Sequence, residues 1–344
     1  MSALESTNAG TPLPTRASDD FVPRRGLRGG HIQTLAGHFL PRRSLLPAPE
    51  RRFFTVADGV QVRCDCHWQK DRSAALTAVI VHGLEGSSES TYVIGTGSKA
   101  WLAGMNVVRM NVRNCGGTEQ LAPTLYHSGL SSDVGAVANE LISKDDLPQV
   151  AIAGFSMGGN LVLKLAGEWG SAAPRQVKAF AAICPSMDLA ASAAELHRWS
   201  NRIYEWRFLL SLWQSLGRKA RLFPEIFRRP GLRAMRSLRD FDNEVTARYC
   251  GFAGADDYYR RASSSPLVPR IAVPTLVIHA QDDPFVRILP ESRAALEANP
   301  QVRFIQTEHG GHCAFVGEDN GSDGRWAERQ IIEFFREKTT LLSG

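Results

Sequence analysis

The sequence is poor in the features that mark secreted, membrane-spanning or metal-stapled proteins. Its 344 residues include six cysteines and no CxxC pair, too few and too scattered for a disulfide framework. Cys64 and Cys66 stand two apart in a strand-like run and so share one face, but no His/Cys cluster nearby supplies further metal ligands. They read as reduced, buried thiols, and the chain as cytoplasmic. No run of about 18 apolar residues is present, so no spanning helix is expected. Residues 1–20 are polar, lack the apolar core of a secretory signal, and read as a disordered tail. No Gly-rich dinucleotide fingerprint follows a strand. Gly95-Thr96-Gly97-Ser98-Lys99 has the composition of a phosphate loop but not its G-K-[ST] ending, and it falls in a helical stretch. No nucleic-acid-binding motif is recognisable. Cofactor, metal and nucleic acid are therefore left without a site.

What is present is a rhythm of short apolar runs. They are residues 78–81, 107–110, 150–153, 179–183, 275–278 and 302–305, mostly β-branched and continuous rather than alternating. Such runs mark strands buried on both faces. Between them the apolar spacing is helical, as in Val134, Val137 and Leu141. Strand alternating with helix gives an α/β fold with a mostly parallel central sheet. Arg52–Val56 and Val60–Cys64 flank Ala57-Asp58-Gly59 and read as an edge hairpin. The rhythm breaks between about Met187 and Pro266, where the pattern turns helical and aromatic. Trp206, Leu209, Leu210, Trp213 and Leu216 recur at helical spacing. This gives a core of 21–186 and 267–344 with a helical cap at 187–266.

The chemistry starts at Gly154-Phe155-Ser156-Met157-Gly158, which lies where a strand turns sharply into a helix. Side chains at the two glycines would crowd the backbone of such a turn. A serine hydroxyl is a weak nucleophile without a base, so the pentapeptide alone is only suggestive. The order nucleophile, acid, histidine supplies the rest. The strand at 275–280 runs into Asp282-Asp283-Pro284, and the strand at 302–307 runs into His309-Gly310-Gly311-His312. Asp283 is preferred as the acid, with Asp282 as a turn or cap carboxylate. His312 is preferred as the base because Gly310-Gly311 let its loop pass close to the serine, whereas His309 reads as a strand-end residue. In this scheme His312 takes the Ser156 proton and Asp283 fixes the imidazole tautomer. The oxyanion donors are the amides of Met157 and of Leu84, in the loop His82-Gly83-Leu84-Glu85-Gly86. The same loop also reads simply as a tight strand-to-helix turn.

Net charge is +5, and its distribution says more than its size. From Arg198 to Asp240 there are eleven Lys/Arg and three acids. Such a segment suits either an ordinary solvated face or weak peripheral contact with an anionic membrane, its arginines snorkelling around an apolar face. The aromatic cap residues Trp206, Phe208, Trp213, Phe223 and Phe227 favour an ester with a hydrophobic acyl or alkyl part. Acyl transfer to an alcohol, and a non-catalytic binding role on the same scaffold, are the competing readings.

Taken together, the motifs resemble the YheT-like subfamily of the α/β-hydrolases over about residues 21–336. The resemblance rests on Gly30-His31-Ile32-Gln33-Thr34-Leu35, Val81-His82-Gly83-Leu84-Glu85-Gly86, Arg113-Asn114-Cys115-Gly116-Gly117 and Tyr126-His127-Ser128-Gly129. The elbow at 154–160, Tyr258-Tyr259, His279–Phe285 and Gly310-Gly311-His312 complete it. It implies a carboxylesterase or lipase-like hydrolase using Ser156, Asp283 and His312 without a cofactor. Some relatives carry an H-x4-D motif proposed for acyl transfer; here His127 and Asp133 are spaced H-x5-D. Animal relatives carry an N-terminal membrane anchor that is not seen in this sequence. The His31–Thr34 segment has no chemistry of its own and is expected to pack beside the site.

Overall fold

The computed structural model describes residues 21–231, 235–318 and 322–340. The tail read at 1–20 lies outside the described residues. Helix α1 (Gly30–Phe39) precedes an antiparallel hairpin, β1 (Glu50–Ala57) and β2 (Val60–His67), turning at Asp58-Gly59. Then come β3 (Thr77–Val81), α2 (Thr91–Leu102), β4 (Asn106–Met110), α3 (Ser131–Ser143), β5 (Val150–Phe155), α4 (Met157–Trp169) and β6 (Val177–Ile183). A helical insertion follows: α5 (Leu189–Leu196), α6 (Arg202–Leu222), α7 (Leu238–Phe241), α8 (Arg248–Cys250) and α9 (Ala255–Ala262), with a π-helical stretch at Asp242–Ala247. The chain returns through β7 (Thr275–Ala280), α10 (Pro290–Ala298), β8 (Val302–Thr307) and α11 (Trp326–Thr340).

The eight strands form one sheet in the order β1-β2-β4-β3-β5-β6-β7-β8. The hairpin is antiparallel and joins β4 antiparallel; every pairing from β4 to β8 is parallel. The continuous apolar runs are explained by the two helix layers. Val79, Val81, Ile152 and Ala182 point to one face, where Val134, Val137 and Leu161 of α3 and α4 cover them. Ile80, Ala151, Ala153 and Ile183 point to the other, under Val93 and Ala100 of α2 and Ile331 and Phe335 of α11. Because successive strand side chains face opposite ways, a central strand is apolar at most positions on both faces. Burying each large aliphatic side chain contributes about 1.5–3 kcal/mol, so this double-sided pattern fixes the sheet firmly. The phosphate-loop look-alike at 95–99 lies wholly within α2. Cys64 and Cys66 are buried free thiols whose titration burial pushes upward, Cys66 to about 12.

Among the described residues, no helix is long and apolar enough to cross a membrane. In α6 the apolar stripe is wider than the protein beneath it can cover. Leu209 and Leu216 are buried, whereas Trp206 and Leu210 face solvent. The basic segment is not uniformly solvated either: Lys219 is 1% exposed.

Candidate active site

Ser156 closes β5 and opens α4 with φ +55° and ψ −118°, a conformation a non-glycine residue rarely adopts. Such strain at a strand-to-helix corner lifts the side chain out of the sheet. The corner holds because its neighbours are small: a methyl on Gly158 would overlap the carbonyl oxygens of His82 and Val81. The Ser156 amide donates to the carbonyl of Ile183 at the end of β6 (2.9 Å).

The acid and histidine arrive at the same strand ends. Asp283 Oδ2 bonds His312 Nδ1 at 2.8 Å, while its Oδ1 accepts from the amides of Phe285 (3.1 Å) and Val286 (2.9 Å). Burial works against the Asp283 carboxylate, but His312, His279 and the Val286 amide outweigh it and hold its pKa below the usual value. Burial likewise works against the His312 imidazolium, but the Asp283 charge, with Cys313, overrides it and raises the pKa. The ring of Phe285 packs 4.2 Å from the His312 ring, centroid to centroid. Beside His312, the Cys313 thiol donates to the Ile183 carbonyl (3.4 Å), and the Cys313 amide points at Cys184 Sγ (3.3 Å). Ser156 and the His312 loop are thus anchored on one residue, Ile183.

Asp282 and His309 are placed otherwise. Asp282 accepts from the Gly311 amide (2.8 Å) and lies 3.3 Å from His309 Nδ1, forming a second, more exposed pair. The glycines before His312 serve a different approach from the one expected. At φ +59°, Gly311 passes against α1, where a methyl would press on Gly30 O, Gln33 and Thr34 rather than on the serine.

Leu84 and Met157 both line the cleft that holds Ser156. Met157 begins α4, so its amide has no intrahelical acceptor; among the described residues, neither it nor the Leu84 amide donates to a protein carbonyl. The Leu84 loop is braced on both sides. His82 Nε2 accepts from the Val112 amide (3.0 Å) and its Nδ1–H donates to Gly83 O (2.7 Å). Burial lowers the His82 pKa to about 4, keeping that neutral tautomer. Glu85, at φ +53°, accepts from Tyr126 (2.6 Å) and from Ser211 and Ser215 of α6 (2.7 Å each). The loop and the insertion are therefore tied together by one carboxylate.

The His31–Thr34 segment packs beside the site as expected, through contacts its sequence does not specify. Thr34 Oγ1 accepts the His312 amide (2.9 Å) and donates to Gly30 O (2.6 Å). Gln33 accepts from the Val316 amide (2.8 Å) and donates to Val316 O (3.0 Å) and Leu27 O (2.7 Å). The motif at 30–35 thus carries the histidine loop. Lys219, which burial lowers to about 8, donates to Asn114 Oδ1 and Glu119 O (2.8 Å each) and to Ala122 O, pinning α6 to the loop after β4. No local pattern announces these contacts; an unpaired charge in an amphipathic helix was the only signal for Lys219.

The cleft above Ser156 encloses about 1090 Å³, its open mouth included. Its walls are mainly apolar, with Leu196, Leu212, Leu216 and Phe208 from the insertion and Leu125 from the loop after β4, and Glu85, Asn114 and Lys219 at one end. Of the five aromatics expected to shape it, only Phe208 does so. Trp206 faces solvent, Trp213 is held by Pro230 O and Arg229, and Phe223 and Phe227 pack around Lys219. His127 and Asp133 form no pair: Asp133 takes a bidentate contact from Arg113 (2.5 Å), and His127, lowered by burial to about 4, accepts from the Gly129 amide. Ligand atoms of Cys184, His312 and Cys313, and of Cys184, His279 and Asp283, gather within 4.8 Å of one another. Both groups include a member of the Asp283–His312 pair, whose atoms already serve each other.

The alpha/beta hydrolase fold family matches residues 79–319. Among curated proteins, YheT of Escherichia coli K12, whose name offers esterase only as a proposal, is 33% identical over 92% of this chain and 93% of its own. Medium-chain fatty acid ethyl ester synthase/esterase 2 of Saccharomyces cerevisiae is 28% identical over 77% of this chain and 62% of its own. Among solved structures, the Pyrococcus furiosus esterase Pf2001 superposes with a TM-score of 0.56 at 15% identity, over 84% of this chain and 92% of that one.

Proposed function

The chain belongs to the α/β-hydrolase fold family, in its YheT-like subfamily, and from that premise we propose that it hydrolyses carboxylic esters through an acyl-enzyme on Ser156. The observation that carries the reading is the convergence at Ile183 of the strained Ser156 corner and the loop bearing the buried Asp283–His312 pair. His312, oriented through Nδ1 by Asp283, takes the Ser156 proton at Nε2 as Oγ attacks the ester carbonyl. The negative oxygen is met by the Leu84 and Met157 amides, each worth roughly 3 kcal/mol in the transition state. His312 then returns the proton to the departing alkoxide. A water activated by the same imidazole releases the acid and frees the serine.

Residues 187–266 act as the cap, and the apolar walls favour an ester with a hydrophobic acyl or alkyl group over a charged one. The yeast relative's name joins synthesis of ethyl esters to their hydrolysis, so alcohol is a competing acceptor for the same acyl-enzyme. Asp133 is engaged by Arg113 rather than by His127, which leaves the histidine–aspartate pair of the acyl-transfer motif unformed and favours water.

The test combines a fluorophosphonate probe with a panel of 4-nitrophenyl esters of increasing chain length, with and without added ethanol. The expected result is labelling lost in Ser156→Ala, turnover favouring longer acyl chains, and free acid as the main product. A Ser156→Ala variant that is still labelled, or no turnover of any ester, overturns the reading. Ethyl ester as the main product replaces hydrolysis with acyl transfer.

A further inference from the structure

We propose that the outer faces of α6 and α1 together dock on an anionic lipid bilayer. Singly exposed apolar side chains are normal on a soluble surface; a continuous array of large ones is not. Along the exposed side of α6 and the turn before it stand Trp199 (92% exposed), Ile203 (85%), Trp206 and Leu210. Their spacing of four, three and four residues places them within about 60° of arc on one helical face. Helix α1 adds Ile32, Leu35 and Phe39 (70% exposed). The two helices are joined edge to edge, His31 stacking on Tyr204 with ring centroids 5.7 Å apart and Arg207 donating to His38 (2.9 Å). The two stripes thus belong to one surface.

The charge around this surface selects its occupant. From Phe21 to Pro49 there are five arginines and no acid; Arg42 turns inward onto Glu328 (2.5 Å), leaving Arg24, Arg25, Arg28 and Arg43 exposed. On α6, Arg202 and Arg207 border the apolar stripe on opposite sides; the one acid of the helix, Glu205, is buried and pairs with Arg202 (3.2 Å), while Arg207, among the described residues, meets only His38. Arginines beside a Trp-rich stripe are suited to lie at headgroup level, their stems along apolar surface and their guanidinium groups on phosphate. A second copy of the chain fits poorly, because a two-fold contact would set these arginines against one another. Residues 1–20 offer little to cover the face: they contain no aromatic residue, and their large apolar side chains are Met1, Leu4 and Leu13.

The inner faces of the same helices reach the candidate active site. The inner side of α6 supplies Phe208, Leu212 and Leu216 to the cleft wall, and α1 holds the His312 amide through Thr34. A bilayer against the outer surface would lie one helix away from both.

The experiment is co-sedimentation of the full chain with vesicles of phosphatidylcholine alone or mixed with phosphatidylglycerol, a measurement that needs no ester turnover. Binding is expected to the mixed vesicles, to weaken in high salt, and to be slight with phosphatidylcholine alone. Trp199→Asp with Ile203→Asp should lower partitioning by at least about ten-fold. Arg28→Gln and Arg198→Gln should each lower it about five-fold. All variants should keep the unfolding midpoint close to wild type, because Trp199, Ile203 and Arg28 are exposed and Arg198 makes only a surface pair with Glu195 (3.4 Å). Failure of the wild-type chain to bind, equal binding to both vesicle types, or full binding by the Trp199/Ile203 variant overturns the proposal. A dimer in sedimentation equilibrium that Trp199→Asp dissociates, without vesicle binding, assigns the face to a second copy instead.

Discussion

Replacing Asp283 with Asn separates the two adjacent carboxylates by a mechanism the structure specifies. Asp283 has donors on both sides: His312 Nδ1–H at Oδ2 and the Phe285 and Val286 amides at Oδ1. An asparagine has one oxygen to offer. Turned toward His312, its amide NH2 would confront two backbone N–H groups, leaving them unsatisfied at about 1–3 kcal/mol each. The stable orientation therefore gives the oxygen to the backbone and points NH2 at His312 Nδ1. That nitrogen must then accept, the proton moves to Nε2, and the imidazole can no longer take the Ser156 proton. The same tautomer error in serine proteases costs about 10⁴ in kcat, or about 5.5 kcal/mol of transition-state stabilisation. Asp282→Asn disturbs only the Gly311 amide and the more exposed His309, and should cost less than about ten-fold. The assay is kcat/KM on a short soluble ester, with unfolding midpoints recorded for both variants. Comparable losses in the two, or Asp283→Asn retaining more than a tenth of wild-type activity, would refute the reasoning.

Three further outcomes follow from the same geometry. Thr34→Val removes the acceptor of the His312 amide, so kcat should fall about ten-fold with KM little changed, reflecting a loss of about 1–3 kcal/mol; Thr34→Ser should restore it, and an unaffected kcat removes Thr34 as a positioning residue. The raised His312 pKa keeps its imidazolium protonated above 6.5, so kcat/KM should rise with pH through a limb lying above that value, and a limb below it contradicts the Asp283 pairing. For stability the signs are opposite: the His312 contribution is complete below 6.5 and fades as pH rises through the raised value, whereas the Asp283 contribution is complete above 3.8 and fades as pH falls through the lowered one. Gly158→Ala drives a methyl into the carbonyls of Val81 and His82, and should destabilise by about 1–3 kcal/mol; a wild-type unfolding midpoint would show that the corner relaxes freely.

The core strands were legible because β3 to β7 are buried on both faces and so are apolar at most positions, while the edge strand β8 keeps an apolar core between polar residues. The six apolar runs coincide with β3 to β8 to within about two residues. The helical insertion was legible as helix but not as orientation. In α6 the apolar stripe from Trp206 to Leu216 is broad enough to serve two environments, and only packing shows that Leu209 goes inward and Leu210 outward. The same ambiguity made five aromatics look like cleft residues when one of them is. The place of α1 beside the site was expected from the motif, but its bonds were illegible for another reason: Thr34 meets His312 across 278 positions and Gln33 meets Val316 across 283, and no local spacing encodes such a contact.

The sequence by itself determined the parallel sheet, the corner at Ser156 and the short list of acids and histidines at strand ends, because these follow from burial periodicity and backbone sterics within a few residues. The choice within each pair belonged to tertiary structure. Adjacent residues leaving a strand point opposite ways, so Asp283 turns inward to His312 while Asp282 turns to Gly311 and His309. Which side of that strand end faces the cleft depends on β6, α1 and the insertion packed around it, and none of these is near Asp283 in sequence.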